Sequence, residues 1–223
     1  MSMPQPICGF FHAQTLSCIG NLQCGKDVFS MKFNTRMLVD GAVMIALATV
    51  LSLIKVFELP WGGSITLLSM LPICLFSIKY GIGKGLCISF LYALIQMFLS
   101  LAQVLSWGLT TGTLLACLFL DYLLAFTVIG FAGIFRNGGL AGWISGIVIA
   151  LLLRLGSHFL SGVLIWHSIG KLWEGFDTTN QYLYSLMYNG AYMLPEIVFT
   201  VIGAVILLKL PQTRKLLTLP ETA

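Results

Sequence analysis

The stretch Leu140–Trp166, LAGWISGIVIALLLRLGSHFLSGVLIW, decides the class of fold. It is long enough to cross a hydrocarbon core, which takes about 20 mostly apolar residues as a helix. Its second half nevertheless holds two ionisable side chains, Arg154 and His158. Ionisable groups inside a span cost roughly 2.5–3.5 kcal/mol on insertion scales, so each marks a functional position by default. Arg154, His158, Gly162 and Trp166 recur every fourth residue and therefore lie down one side of a helix, with Ser157 and Ser161 beside them. A chemically mixed stripe of this kind faces a protein interior or an aqueous pocket, and not lipid.

The rest of the chain has the same character. Of its 223 residues, 58% are hydrophobic and 9% charged, and the mean hydropathy is +0.95. A soluble domain carries roughly 45–50% apolar and about 25% charged residues. So few charges could not cover a soluble fold, which excludes a water-soluble enzyme, a nucleic-acid binder and a disordered chain. The apolar runs are long and unalternated, unlike the ~10-residue alternating segments of a transmembrane barrel.

The expected fold is an all-α membrane protein, a bundle of six transmembrane helices over residues 37–210. The spans run from about Met37 to Val56, Ser64 to Ile78, Gly83 to Gln103, Leu109 to Phe135, Leu140 to Trp166 and Gln181 to Leu210. The second is short and contains Pro72, a length that would also fit a re-entrant segment. No internal repeat is visible, so the inverted-repeat plan of secondary transporters has no support.

Lys and Arg set the orientation. Lys26, Lys32 and Arg36 precede the first span, Lys79 and Lys84 flank the second connection, Arg136 lies in the fourth, and Lys209, Arg214 and Lys215 follow the last. The other side has only Lys171 in its loops and Lys55 near a helix end. Both termini are expected in the cytoplasm, with residues 211–223 as a cytoplasmic tail.

Residues 1–36 read as a polar, poorly ordered N-terminal extension, dispensable if Met31 or Met37 is the working start. They carry no secretory signal. Cys8, Cys18 and Cys24 match no zinc pattern, and Cys74, Cys87 and Cys117 are expected to pack within spans.

Further polar groups sit where lipid should be: Asp121 in the fourth span and Glu196, after Pro195, in the sixth. Asp40 lies near a helix end and can reach the interface. Tyr184, Tyr188 and Tyr192 share one face of the sixth span, with Ser185 and Asn189 adjacent. His158, Gly162, Trp166, Tyr184 and Asn189 lie toward the outer side, as does Trp61 in the first outer loop. Together they outline an outward pocket suited to a flat, nitrogen-bearing aromatic cation. Aromatic faces attract cations by roughly 0.5–2 kcal/mol, and Asp121 supplies counter-charge. The stretch Gly81-Ile82-Gly83-Lys84 lacks the rest of a phosphate-binding loop, and no zinc-protease or nucleophile-turn motif occurs. Ser157 and His158 are adjacent on a helix and point about 100° apart, which makes them poor nucleophile and base. Ala42 and Ala46 form a small-xxx-small pair that permits close helix approach.

Three segments resemble the thiamine-specific substrate-binding (S) component of energy-coupling factor transporters: Leu59-Pro60-Trp61-Gly62-Gly63-Ser64-Ile65-Thr66, Arg154-x-x-Ser157-His158-Phe159-x-Ser161-Gly162-Val163, and Tyr184-Ser185-x-x-Tyr188-Asn189-Gly190-x-Tyr192-Met193-Leu194-Pro195-Glu196. The resemblance covers about Met37 to Leu210. It implies a multi-pass protein of the bacterial cell membrane, not itself an enzyme and without a cofactor, that captures thiamine near the outer face under a lid formed by the first outer loop. It also implies a transmembrane coupling subunit and two ABC ATPase subunits as partners, whose ATP hydrolysis topples the S component and releases the vitamin inward.

By the same resemblance, Trp61 covers the ligand and Trp166 stacks on a ring. His158 and Asn189 hydrogen-bond the aminopyrimidine with Tyr184 nearby, while Asp121 offsets the thiazolium charge. Tyr122 reaches the hydroxyethyl tail, Gly162 leaves room for the ring, and Arg154 orients the carboxylate. Ala42 and Ala46 dock on the coupling subunit. The sequence departs from some family members in holding Asp121 where they hold Glu, and the resemblance assigns no role to Trp173, Glu174 or Asp177. Other readings are an S component for another vitamin such as riboflavin, an intramembrane enzyme using His158 with Asp121 or Glu196, and a proton-coupled carrier.

Overall fold

The computed structural model describes residues 34–59 and 62–218. The first 33 residues, with Cys8, Cys18 and Cys24, lie outside the described residues, as do Pro60, Trp61 and the last five positions. Asn34 caps the first helix, α1 (Thr35–Leu53), by accepting from the Arg36 amide through its side chain. A hairpin of β1 (Lys55–Glu58) and β2 (Ser64–Thr66) follows, then a short helix α2 (Leu71–Tyr80). The long helices are α3 (Ile82–Ser106), α4 (Thr111–Gly133), α5 (Arg136–Trp166) and α6 (Gln181–Lys209). A second hairpin, β3 (Gly170–Trp173) with β4 (Phe176–Thr178), joins α5 to α6, and α7 (Pro211–Thr218) ends the described chain.

Five of these helices, α1 and α3 to α6, are long and apolar enough to cross a membrane, and α2 is a shorter apolar helix. The six-span expectation therefore has its six helices, with one difference in the second. The segment from Ser64 is not helical at first; it pairs as β2 with β1 in the register Glu58↔Ser64 and Phe57↔Ile65. Helix begins only at Leu71, where Pro72 occupies the first turn, a position that asks no amide of it. It ends at Gly81, whose φ of +86° stops the helix. Ten residues make about 15 Å of helix, half of a hydrocarbon core of about 30 Å.

Nearly every α2 side chain is buried, so this half-length helix sits inside the bundle and not against lipid. Non-helical backbone at membrane depth is tolerated where protein covers it or where it lines a cavity. The segment Ser64–Met70 meets both conditions.

The core occupies the inner half. Ile73, Phe76 and Ile78 of α2 pack with Ile88 and Tyr92 of α3, Ile129 of α4, Ile147 and Leu151 of α5, and Ala204 and Leu208 of α6. Gly130 and Gly133 let α4 approach its neighbours closely: a Cβ on Gly130 would strike the Leu86 backbone, and one on Gly133 the Ser77 carbonyl. At the inner end Asp40 accepts from Lys79 Nζ at 2.7 Å and from Tyr80 Oη at 2.6 Å, so it ties α1 to α2. α1 is peripheral. Only Met37, Gly41 and Ala48 are buried, and Ala42 and Ala46 lie on its exposed side among Val39, Val43 and Leu47.

Candidate functional site

The outer halves of the helices do not close on one another. Between them lies a cavity of about 350 Å³. Asp121, Tyr122, Arg154, His158, Gly162, Trp166, Tyr184 and Asn189 all line it, so the structure brings together every pocket residue singled out from the sequence except Trp61, which lies outside the described residues. Its loop neighbours Gly62 and Gly63 line the same cavity.

Two π-helical stretches position the chemistry. One, Leu118–Leu124 in α4, carries Asp121 and Tyr122; the other, Gly162–Trp166 in α5, ends with the His167 amide donating to Gly162 O. Such wide turns leave the regular hydrogen-bond ladder and recur at functional sites. Here a side chain from the next helix supplies a partner: Ser157 Oγ donates to Leu120 O at 2.6 Å. Ser157 is thereby turned away from any role as a nucleophile for His158.

Asp121 is the hub. Its Oδ1 lies 2.9 Å from His158 Nδ1, and its Oδ2 accepts from Ser161 Oγ and from Cys117 Sγ. With the carboxylate ionised, Nδ1 carries the proton, and a neutral ring then presents Nε2 as an acceptor. Nε2 is buried and has no hydrogen-bond partner among the described residues. A buried polar atom without a partner costs free energy, so a donor arriving in the cavity would relieve that cost.

Asn189 is more committed than the sequence suggested. Its Nδ2 donates to Ser185 O at 2.9 Å and to His158 O at 3.3 Å, and its Oδ1 accepts from Tyr192 Oη at 2.8 Å. It therefore locks α6 to the His158 turn of α5, leaving one oxygen lone pair for a ligand. Gly162 lines the cavity and also permits close helix contact: a Cβ there would strike Ser185 and crowd Asn189.

Arg154 does not orient Asp121. It lies one turn deeper, stacks over the Phe126 ring at 4.4 Å and donates to the Met70 thioether. Its Nε is buried without a hydrogen-bond partner among the described residues. Lys55, at the rim, pairs with Glu58 at 2.7 Å. Among the described residues that line the cavity, Asp121 is the only carboxylate.

Sequence reading missed the α3 wall. Gln96, Ser100, Gln103 and Trp107 all line the cavity, and Trp107 meets Trp166 edge to face at 5.3 Å. The signal was present as a polar stripe spaced four, three and four residues apart along an otherwise apolar helix. Trp173, left without a role, stacks on Phe176 within the β3–β4 hairpin.

The family model described as Thiamine transporter protein (Thia_YuaJ) matches residues 38–216, from the first turn of α1 into α7. The chain belongs to the thiamine transporter family. Thiamine transporter ThiT of Bacillus subtilis (strain 168) is 29% identical over an alignment of 183 residues, and the match covers 74% of this chain and 86% of that protein. A solved structure of ThiT from Listeria monocytogenes superposes with a TM-score of 0.62 at 26% identity, covering 82% of this chain and 99% of that one. Membership of the thiamine transporter family, together with the five long apolar helices, makes this a multi-pass cell membrane protein. Within the family match fall the cavity, both π stretches and the Asp121–His158 pair.

Proposed function

We propose that the protein is the thiamine-binding S component of an energy-coupling factor importer, capturing thiamine in the cavity at its outer half. The observation that carries this reading is the Asp121–His158 pair, whose buried Nε2 has no hydrogen-bond partner among the described residues, in a cavity walled by Trp107, Trp166, Tyr184 and Tyr188. His158 Nε2 accepts from the exocyclic amine of the aminopyrimidine, with the remaining lone pair of Asn189 Oδ1 and the Tyr184 hydroxyl close by. Trp166 and Trp107 stack against the rings, Asp121 balances the thiazolium, and Tyr122 with Ser100 takes the hydroxyethyl end. Trp61, from its place next to Gly62, covers the ligand.

Transport then falls to partners. The sequence contains no phosphate-binding loop, so a coupling subunit and two ABC ATPases drive release inward, with Ala42 and Ala46 on the exposed side of α1 as the docking face. Family membership favours thiamine over riboflavin as the vitamin. Family membership likewise favours a transport subunit over an intramembrane enzyme using His158 with Asp121 or Glu196.

Purified protein in detergent is expected to lose tryptophan fluorescence saturably on titration with micromolar thiamine. Trp107→Phe and Trp166→Phe should each remove part of that quench. Riboflavin and biotin should give neither quench nor heat. Absence of both signals with thiamine, or an equal response to riboflavin, overturns the reading.

A further inference from the structure

Glu196 has no place in the cavity wall, yet it is only 1% exposed and reaches across to another element. Its Oε1 accepts from Thr66 Oγ1 at 2.5 Å, and Thr66 shares a hydrogen bond of 2.6 Å with Ser69. Thr66 and Ser69 do line the cavity. They belong to the crossover Gly63–Met70, the non-helical backbone that replaces the outer half of a membrane helix.

α6 holds this crossover along a single stripe: Tyr188, Tyr192, Glu196, Thr200 and Gly203 recur at helical spacing on one side. The Gly63 amide donates to Tyr188 Oη at 3.4 Å, and a Cβ on Gly63 would fall on the Tyr192 ring. At the far end Leu68 adopts a φ of +56°, unfavourable for a branched side chain, and its methyl groups fill the notch at Gly203. Between these contacts the carboxylate of Glu196 adds a second polar tie, shorter than that of Tyr188 to Gly63. Strained, non-helical backbone persists only where its surroundings hold it.

We propose that Glu196 is a positioning residue for ligand retention: by tethering Thr66 it fixes the crossover as the outer wall of the cavity and slows ligand departure. It touches no ligand. The inference rests on the reading of the cavity as a thiamine site. Losing the tether frees the wall to move outward, so the effect falls on dissociation more than on association.

Stopped-flow measurement of thiamine binding tests it, with wild type, Thr66→Val, Glu196→Leu, Glu196→Gln and the Thr66→Val/Glu196→Leu double variant. Thr66→Val and Glu196→Leu should each raise the dissociation rate about tenfold, and the double variant no further, because both remove one shared interaction. Glu196→Gln retains an acceptor for Thr66 and should stay near the wild-type rate. Multiplication of the two effects in the double variant, or no change in either single variant, overturns the proposal.

Hydrogen exchange of the ligand-free protein gives a separate readout. Amides of the crossover should exchange faster in Thr66→Val than in wild type, while those of α3 stay the same; equal exchange of the crossover in both proteins counts against the tether. If wild type binds no thiamine, the functional reading fails, whereas the exchange comparison still judges the tether. Thr66→Val is nearly isosteric and serves should Glu196→Leu not fold.

Discussion

Replacing Asp121 by Asn is expected to weaken thiamine binding by about a hundredfold, or about 2.7 kcal/mol. Two losses contribute. The amide carries no charge, so the cavity no longer balances a cationic ring in surroundings where water screens little. The amide also presents a donor on one side, whereas Asp121 accepts on both, from His158 Nδ1 and from Ser161 Oγ. Turned toward His158, the NH₂ forces the other tautomer, with the proton on Nε2 facing the ligand amine. Turned toward Ser161, it spares the ring and leaves only the charge loss. Calorimetric titration checks the prediction, with thermal unfolding in detergent to confirm that the variant folds. The loss should be smaller for a neutral-ring thiamine analogue than for thiamine. Affinity within threefold of wild type would remove Asp121 from the ligand's surroundings.

The membrane class, the helix order and most cavity residues were legible because they rest on length, charge placement and spacing. Charges are rare in spans, so Asp121, Arg154, His158 and Glu196 each stood out, and a fourfold spacing aligned His158 with Gly162 and Trp166. What escaped was local backbone geometry. Regular helical periodicity cannot register a π turn, and it therefore hid why Asp121 and Tyr122 both reach the cavity. The run from Ser64 is apolar enough for a span, but its backbone is a strand and a turn. Only Pro72 and the shortness of the run hinted that helix begins late. Arg154 was assigned to Asp121 for a similar reason. Sequence places it on the His158 face but does not say that one turn of depth, about 5.4 Å, separates it from the Asp121–His158 pair and leaves it against Phe126 and Met70. Uncharged polar side chains were the weakest signal, which is why Gln96, Ser100 and Gln103 went unnoticed despite their common face.

These local features serve one purpose. A full-length second helix would fill the space between α1, α3 and α6; a half-length one leaves its outer half to thinner, non-helical backbone. The inner core of Ile73, Phe76 and Tyr92 seals the bottom of that space, and the hairpin of β1 and β2 crosses its outer side. The cavity thus follows from where α2 begins, and its chemistry from the two π turns that aim side chains into it.

The contact between α5 and α6 carries the second large expectation. Gly162→Ala should cost roughly 2 kcal/mol of binding, about thirtyfold, within the range for overpacking a tight contact. A Cβ at this position meets Ser185 Oγ and Cβ and lies 3.3 Å from Asn189 Nδ2. Ser185 donates to Phe159 O and accepts from Asn189, and Asn189 in turn holds the His158 carbonyl. Pushing α6 outward by even a few tenths of an ångström therefore disturbs the backbone that aims His158. Ser185→Gly removes the colliding atoms, so it should restore most of the affinity in the Gly162→Ala background. If Gly162 instead leaves space for a ligand ring, Ser185→Gly has nothing to relieve and the loss persists. Thiamine affinity of the single and double variants, measured by fluorescence titration, decides between helix contact and ring clearance at this position.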